Sequence, residues 1–375
     1  MSKIQIQEVR SKSDLNKFIA FPNKLYKGNK YRVPQLDIYE KKSLDRKKNP
    51  AFEFCEAKYW LAYKNNKIAG RIAAIINHKS NEIWNEKHMR FGWIDFIDDI
   101  EVSKALIETV EGWAKEKGLT AVHGPLGFSD MDLEGMLVEG FDEMATQATI
   151  YNYPYYPVHL EKLGYKKDTD WIQFEIKVPD KVPDKLKRIS SLVLEKYDLK
   201  ILETKKPKDV LPYAKSMFYT LNEAFKSLYG FVPLTDKQIE KYTKDYFSAI
   251  DVKFVCFVLD KNNEVAGFGI SIYSLSEALQ KAKGKLFPFG FIHILKAFRK
   301  NNKIDMLLQA VKPEYQNKGV AAIFYSKMMQ AYIDNGVEIA ISSHALEDNK
   351  SAFLMFNDYE TRQHLKRRCY IKTEL

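Results

Sequence analysis

A short hairpin pattern occurs twice in this chain and limits how the chain can fold. Residues 58–76 read KYWLAYKNNKIAGRIAAII, and residues 253–272 read KFVCFVLDKNNEVAGFGISI. In both segments an apolar run is followed by Lys-Asn-Asn, by Ala-Gly and by a second apolar run, which is typical of two strands joined by a short polar turn. Two unrelated hairpins could share a turn by chance, but duplication is the favoured interpretation. The repeat therefore predicts two domains of similar build.

The elements after each hairpin follow the same order in both halves. An amphipathic helix ends at a glycine, Gly118 or Gly336, and a strand follows. The segment 178–188 has two prolines and dense charge, and it is the predicted linker. We therefore expect an α+β fold with mixed sheets in two domains, residues 1–180, which begin with a helical arm, and residues 181–375.

Composition and missing motifs exclude several classes of protein. The 375 residues are 45% apolar and 13% aromatic, which is too much for a disordered chain. The three cysteines are far apart, which argues against a disulfide framework or a cysteine zinc site and predicts a cytoplasmic location. No apolar stretch is long enough to span a membrane, and the charged N-terminus is unlike a signal peptide. The GxSxG, HExxH and P-loop patterns are absent, so serine hydrolases, zincins and P-loop NTPases have no support.

The formal net charge of +10 comes entirely from the second half of the chain. Residues 1–180 carry 27 basic and 27 acidic residues, whereas residues 181–375 carry 32 and 22. Within residues 281–319 there are nine basic residues and two acidic ones, a local excess of +7. Such a stretch indicates nucleic acid, a membrane surface or a phosphorylated cofactor as partner, or else a solvated lysine-rich face.

The most informative segment for chemistry is a strand, a loop and a helix in the second half. A predicted strand over residues 304–311 leads into the polar loop 312–318, and Gly319 opens a helix. The N–H groups and the dipole at a helix start attract an anion, and glycine lets a phosphate approach the backbone. Lys312 and Lys318 add positive charge, so the pattern predicts an anion-binding turn.

The residues of this turn resemble the pyrophosphate loop of the GNAT (acyl-CoA N-acyltransferase) superfamily. Its pattern, Val-x-Pro-x-x-Arg/Gln-x-x-Gly-x-Gly/Ala, is matched here by VKPEYQNKGVA from Val311 to Ala321. The resemblance implies tandem acyl-CoA N-acyltransferase-like domains, with acetyl-CoA or another acyl-CoA bound in the second domain. By this resemblance the cofactor-binding residues are Gln309, Ala310, Val311, Gln316, Asn317, Lys318, Gly319, Val320, Ala321 and Asn349.

A second match lies downstream and is incomplete. Asn349-x-x-Ala352 resembles the GNAT segment Asn-x-x-Ala-x-x-x-Tyr, whose tyrosine protonates the leaving thiolate in many members. This chain has Phe356 at that position, and a phenyl ring has no proton to give. Tyr359 and Tyr370 are alternatives for the same role, or else core residues.

Two residues are candidate general bases for an amine acceptor. Asp305 lies six residues before Val311, the spacing of the base carboxylate in the histone-acetyltransferase branch, and a carboxylate can take a proton directly or through water. Strand alternation predicts that Asp305 shares a face with Leu307, Gln309 and Val311. His344, at the end of the following strand, has a suitable pKa. A solvated aspartate and an ordinary loop histidine are the alternative interpretations.

The first half resembles the same superfamily in the order of its elements but lacks the loop. Its segment 159–167, HLEKLGYKK, resembles the superfamily's Tyr-Glu-Lys-Leu-Gly-Phe ending. Before its helix, however, four carboxylates stand where the loop would be: Asp95, Asp98, Asp99 and Glu101. They would repel a pyrophosphate, so we expect no conventional coenzyme A site there. A metal site is the less favoured interpretation of these carboxylates, helix capping the more favoured one.

Nearly the whole chain also resembles a family of bacterial proteins with tandem GNAT-like domains. The shared segments are Asn49–Phe52, Gly70–Ala74, Gly124–Ser129 and Tyr151–Tyr156, the first and third of which are one residue longer here. This resemblance implies no particular substrate.

Three functions fit these observations. The favoured one is an acyl-CoA-dependent N-acyltransferase, in the simplest case an acetyltransferase, acting on a small-molecule or peptide amine. The second is a tRNA-dependent aminoacyl transferase, although the basic stretch lacks an Arg-rich pattern with interleaved aromatic residues. The third is a non-catalytic tandem scaffold that binds a ligand or partner, which the missing tyrosine and the degenerate first domain would suit.

Overall fold

The computed structural model describes residues 3–247, 250–299 and 301–375, with the backbone alone at residues 350 and 351. In chain order, the elements up to residue 177 are β1 (Gln5–Glu8), α1 (Lys12–Leu25), α2 (Asp37–Ser43), β2 (Cys55–Lys64), β3 (Lys67–Asn77), α3 (His78–Ile83), β4 (His88–Phe96), α4 (Ile100–Glu116), β5 (Ala121–Gly124), β6 (Met136–Glu139), α5 (Tyr155–Lys162) and β7 (Lys166–Lys177). None of the helices in the described ranges combines the length and the apolar content that a bilayer crossing requires.

The remaining elements include the second hairpin and the strand that precedes the predicted anion-binding turn. They are α6 (Asp184–Lys196), β8 (Lys200–Ile201), α7 (Pro207–Val210), α8 (Ala214–Phe225), α9 (Asp236–Tyr246), β9 (Val255–Leu259), β10 (Val265–Tyr273), α10 (Ser276–Ala282), α11 (Gly290–Arg299), β11 (Lys303–Val311), α12 (Ala321–Asp334), β12 (Ile339–Ile341), β13 (Ala345–Leu346), α13 (Lys350–Leu354) and β14 (Thr361–Lys372).

Both predicted hairpins are confirmed, and their asparagines explain the turns. Strands β2 and β3 pair antiparallel, and the two residues between them, Asn65 and Asn66, have φ values of 50° and 60°. Positive φ at both positions is the backbone of the two-residue turn that matches the twist of a hairpin, and asparagine tolerates it well. In the second hairpin, β9 and β10 also pair antiparallel, and Asn263 has a φ of 62°.

The described residues form two compact units. Unit 1 comprises the chain up to Ile172, Leu275–Ala297 and Leu365–Leu375, and unit 2 comprises Gln173–Ser274 and Phe298–His364. In unit 1 the strand order is β1-β2-β3-β4-β5, followed by β14, with β4 and β5 parallel. Helix α4 packs on β2, β3 and β4 through an apolar face.

Unit 2 has the corresponding arrangement. Its strand order is β7-β12-β11-β10-β9-β8, and its parallel pair is β11 and β12. Helices α6 and α12 pack against each other over the sheet. Their apolar side chains join a core cluster with residues of β9, β10 and β11, including Val193, Phe254, Ile304, Val320 and Met328.

Two strands change unit along their length. The end of β7, from Gln173 to Lys177, pairs with β12 of unit 2, and the end of β14 pairs with β5 of unit 1 through Tyr370 and Gly124. Each sheet therefore takes a strand from the other half of the chain. The predicted domains, residues 1–180 and 181–375, are contiguous segments, whereas each compact unit combines segments from both halves of the chain. The domain boundaries therefore stay a prediction.

Candidate functional site

The parallel strands β11 and β12 of unit 2 form a fork. They pair only from Lys303 to Asp305, although β11 itself continues to Val311. After β12 the chain turns toward β7, where the Ser342 N–H donates to the Phe174 carbonyl. Beyond Asp305, the edge of β11 that faces away from β10 has no paired strand among the described residues. Backbone groups on this edge therefore lack a strand partner among the described residues.

The hydrogen-bond register shows which backbone groups face the fork. The Lys312 N–H donates to the Ala266 carbonyl in 2.9 Å, so position 312 bonds toward the hairpin strand β10. In an antiparallel pair the bonded positions alternate, so Ala310 also bonds toward β10. The peptide groups of Gln309 and Val311 consequently point into the fork.

The loop after β11 exposes backbone N–H groups at the start of α12. Gly319 has a φ of 82°, and a Cβ there would lie 3.1 Å from Val193, so a side chain would be both strained and crowded. In the described part of the chain, no backbone carbonyl accepts from the N–H groups of Gly319, Val320 or Ala321. Together with the dipole of the 14-residue helix, these groups make the start of α12 electropositive.

The side chains of the loop have different roles from one another. The Gln316 Nε2 donates to the Val311 carbonyl in 3.1 Å and so braces the loop against its own strand. The Lys312 Nζ lies 3.1 Å from the carboxylates of both Glu264 and Glu314, which compensate its charge. The Lys318 Nζ lies 5.4 Å from the centre of the Tyr197 ring. Of the two lysines expected to attract an anion, Lys318 is therefore the better placed. Asn317, with a φ of 59°, completes the turn.

Asp305 lies at the closed end of the fork. It is the last residue of β11 that pairs with β12, and only 2% of its surface is exposed. Neither carboxylate oxygen has hydrogen-bond geometry with a described residue. Burial raises the pKa of Asp305 from 3.8 to about 7. A side-chain interaction with Ser274, outside ordinary hydrogen-bond geometry, and the positive charge of Lys303 favour the ionised form and limit this rise. Asp305 is thus a buried carboxyl group that can hold or release a proton near neutral pH, and not a solvated strand-start residue.

A β-bulge changes the face that Asp305 occupies. The register between β10 and β11 shifts at Leu307, which has no opposite residue. Before the bulge, Asp305 points away from the core under α12, which includes Ile304. After the bulge, Gln309 and Val311 point toward α12, and the Gln309 Oε1 accepts a hydrogen bond of 2.8 Å from Tyr325. The shared face expected from simple alternation is therefore not observed, because the bulge inserts one residue into the strand.

The position at which the sequence resemblance implies a catalytic tyrosine lies in the core. Phe356 is buried in the unit 2 cluster, and its ring centre lies 6.1 Å from that of Tyr325. Tyr359 packs on the same cluster, and its buried hydroxyl has no hydrogen-bond partner in the described ranges. Burial raises the pKa of Tyr359 to about 12, so it keeps its proton at neutral pH. Tyr370 belongs to unit 1, where its hydroxyl lies 3.1 Å from Glu161.

The two other predicted site residues lie after β12. His344 is half-buried in the loop between β12 and β13. Asn349 precedes α13, and its carbonyl accepts from the Ala352 N–H in 3.0 Å. The assignment of both to the site stays a prediction.

Three of the four carboxylates of the first half are engaged by protein groups in unit 1. Asp99 accepts from the Glu101 N–H at the start of α4 and pairs with Lys64, which confirms its predicted capping role. Asp98 lies 3.2 Å from His159, and the buried Asp95 accepts a hydrogen bond of 2.7 Å from Arg71.

Asp95 also belongs to a buried polar network that sequence reasoning missed. Tyr26 donates to Asp95 in 3.0 Å and contacts the Tyr156 hydroxyl at 2.8 Å. Glu40 lies 3.7 Å from Arg71, and burial raises its pKa. These residues come from five separate segments, so no local spacing could have signalled the network.

One further cluster in unit 1 has the chemistry of metal ligands. The ligand atoms of His123, Asp168 and Cys369 lie within 4.8 Å of one another, and His123 Nδ1 is 3.7 Å from Asp168. Burial lowers the pKa of His123 to about 4, so the ring is neutral, as a metal ligand must be. The three residues are far apart in sequence, and only strand β14 brings Cys369 to the other two.

Comparison with curated proteins finds distant relatives that match most of the chain. Protein YghO of Escherichia coli (strain K12) is 27% identical over 327 residues, which cover 86% of this chain and 83% of that protein. The bacterial ceramide synthase of Caulobacter vibrioides is 25% identical over 363 residues, covering 93% of this chain and 92% of the relative. No protein-family model matches the chain.

Comparison with solved structures finds acetyltransferases. A tandem GNAT protein from the clavulanic acid biosynthesis pathway aligns with a TM-score of 0.56 and 10% identity over 99% of this chain and 98% of its own. A GCN5-related glucosamine N-acetyltransferase region of a fungal multi-domain β-N-acetylglucosaminidase aligns with a TM-score of 0.57 and 14% identity. It covers 99% of this chain, which spans 38% of that longer protein. At such identities the likeness concerns the fold alone.

Proposed function

This chain has the fold of the tandem GNAT acetyltransferases, as its sequence predicted, and on this basis we propose that it is an acyl-CoA-dependent N-acyltransferase. The observation that carries the proposal is the fork between β11 and β12 in unit 2, with the open helix start at Gly319 beyond its strand. Acyl-CoA would supply an activated acyl thioester, and an amine would accept the acyl group to form an amide.

Backbone groups would do most of the work of binding the cofactor. The N–H groups of Gly319, Val320 and Ala321 suit a pyrophosphate, because they point out of a helix start without a protein acceptor among the described residues. The peptide groups of Gln309 and the N–H of Val311 suit an amide-bearing arm such as pantetheine, which would pair with β11 in place of the missing strand. Lys318 would add a charge at the phosphate end.

Asp305 and Tyr359 would handle protons. Asp305 lies where the fork closes and has a pKa near 7, so its carboxylate could accept the amine proton, directly or through water. Tyr359 retains its proton at neutral pH and has a buried hydroxyl without a partner in the described ranges, so it suits the acid role that Phe356 cannot fill. His344 stays a second candidate base from its place after β12.

The class of acceptor is suggested by one relative. A ceramide is an amide between a fatty acyl group and a long-chain amino alcohol, and the ceramide synthase of Caulobacter vibrioides aligns over 93% of this chain. We therefore place a long-chain amino alcohol first among the acceptors, and a long-chain acyl-CoA beside acetyl-CoA among the donors. Formation of an N-acyl product from these pairs would be followed by mass spectrometry.

Calorimetric titration of the protein with acetyl-CoA and with palmitoyl-CoA tests the cofactor site. We expect Gly319→Ala to weaken binding at least tenfold, because the new methyl group meets Val193 and tilts the N–H groups of the loop. Gly336→Ala is the matched control. Gly336 also has positive φ, 66°, but lies at the other end of α12 with nothing within 4 Å of the new methyl group. Failure of the folded wild-type protein to bind any acyl-CoA would refute the proposed function, and binding without transfer to any amine would favour a scaffold.

A further inference from the structure

A segment of unit 1 exposes an unusual concentration of large apolar side chains. Phe287 is 75% exposed, Phe289 is 69% exposed and Leu295 is 52% exposed, and Phe291 and Ile292 are also exposed. Six of the ten residues of α11 are apolar, counting its alanine, yet Gly290 is its only buried residue. Water-exposed patches of this kind mark an interaction surface.

Positive charge accompanies these apolar side chains. Lys281, Lys283 and Lys285 precede the phenylalanines, Lys296 follows Leu295, and all four are exposed. Lys281 forms an ion pair of 3.6 Å with Glu277 on the same helix. Within residues 281–297 there is no acidic residue at all. Lys300, which belongs to the same basic stretch, lies outside the described residues.

The segment is attached to a second exposed apolar site in the same unit. The Gln280 side chain donates to the carbonyls of Lys30 and Arg32, and the Asp37 N–H donates to the Gly284 carbonyl in 2.8 Å. Directly after Asp37, the side chains of Ile38 and Tyr39 on α2 are 49% and 43% exposed. Lys41 is exposed on the same short helix.

We propose that residues 281–297, together with Ile38 and Tyr39, dock this protein on the surface of an anionic phospholipid bilayer. Phenylalanine, isoleucine and leucine side chains enter the boundary between headgroups and acyl chains, while lysines beside them contact anionic headgroups. A ten-residue helix is about 15 Å long, half of the hydrocarbon thickness, so α11 would lie along the surface and not cross it. A nucleic acid would match the lysines but not the aliphatic side chains. This inference does not depend on the proposed acyl transfer.

Co-sedimentation of the full chain with vesicles tests the inference. One set of vesicles contains phosphatidylcholine alone, and the other an equimolar mixture of phosphatidylcholine and phosphatidylglycerol. We expect binding to the mixed vesicles that falls as salt is added, because the lysine contribution is screened. The double variant Phe287→Ser/Phe289→Ser should lower the bound fraction at least tenfold, and Lys283→Glu/Lys285→Glu should do the same on mixed vesicles.

Two control variants carry equivalent changes elsewhere. Leu192→Ser alters a 57% exposed leucine on α6, and Lys208→Glu alters an exposed lysine on α7, and neither should change vesicle binding. Circular dichroism of every variant checks that it is folded. Equal binding by wild type and both patch variants would overturn the proposal. Failure of the wild-type protein to bind the mixed vesicles would also overturn it. The same holds if the patch variants change only the oligomeric state in sedimentation velocity, because the patch would then bind a second copy of the chain.

Discussion

Replacing Asp305 by asparagine should make this protein more stable at alkaline pH. Asp305 is almost completely buried, and its carboxylate oxygens lack hydrogen-bond geometry with any described residue. Ionising such a group inside the protein is unfavourable, and burial accordingly raises its pKa to about 7. The amide of asparagine has nearly the same shape and never ionises, so Asp305→Asn removes that penalty.

The size and the sign of the effect follow from proton linkage. Because the folded protein holds the Asp305 proton more tightly than the unfolded chain does, this group's contribution to stability is fully present below pH 3.8 and is lost as pH rises to about 7. A pKa change from 3.8 to about 7 corresponds to about 4 kcal/mol at about 1.4 kcal/mol per pKa unit. The stability of Asp305→Asn relative to wild type should therefore increase by about 1.4 kcal/mol per pH unit between those limits and level off above them.

Urea unfolding of both proteins, followed by circular dichroism at about pH 5, 6.5 and 8, measures this difference. The amide also buries an extra N–H pair, which adds a pH-independent offset of about 1–3 kcal/mol, so the slope is the diagnostic quantity. Asp170→Asn is a control for which the stability difference from wild type should change with pH in the opposite direction. Although burial alone would raise the pKa of Asp170, hydrogen bonds from Arg368, Lys167 and Lys366 lower it. A difference between Asp305→Asn and wild type that does not change with pH would refute the account of Asp305.

Four further predictions concern activity and stability. Wild-type kcat/KM for amide formation should rise with pH and level off above about 7, and Asp305→Asn should lose about a hundredfold in rate, measured by thiol release. Tyr359→Phe should lower kcat about tenfold with little change in KM, as expected for loss of a proton donor, and an unchanged kcat would remove it from the mechanism. Lys318→Ala should weaken coenzyme A binding about tenfold in calorimetry, whereas the exposed control Lys253→Ala should leave it unchanged. Asp170→Asn should lower the free energy of unfolding by about 3 kcal/mol at neutral pH in urea unfolding, because it disrupts a buried ion pair with Arg368. The loss should become smaller as pH falls through the lowered pKa of Asp170, and an unchanged unfolding midpoint would contradict this.

Features that depend on a few neighbouring residues were predictable. The Lys-Asn-Asn turns became hairpins because asparagine accepts positive φ, and Asn65, Asn66 and Asn263 all adopt it. The glycine at position 319 became the left-handed residue before α12, where a side chain would meet Val193. In each case the backbone preference of one or two residues is strong enough to decide the local structure.

The site departs from the sequence-based expectation where residues from distant segments meet. Glu264, in the turn between β9 and β10, compensates Lys312, which lies 48 positions later in the chain. The bulge at Leu307 turns Asp305 away from the face that carries Gln309, and period-two alternation contains no signal for an inserted residue.

The strand exchange is the largest feature of this kind. Nothing in the sequence of β7 or of β14 shows which sheet the strand completes. Strand β7 pairs with β12 and strand β14 pairs with β5. The backbone hydrogen bonds of these pairs join segments far apart in the chain, so local sequence does not decide them.

The amino-acid order alone was sufficient for the repeated hairpins, the glycine-led turn at Gly319 and the loss of a proton donor at Phe356, since local backbone preference and side-chain chemistry decide these. Tertiary structure alone decided that Asp305 is buried with a pKa near 7, that glutamates compensate the charge of Lys312 and that Phe287 is left exposed. Burial, register and charge pairing depend on which distant segments pack together, and no single segment of the sequence contains that information.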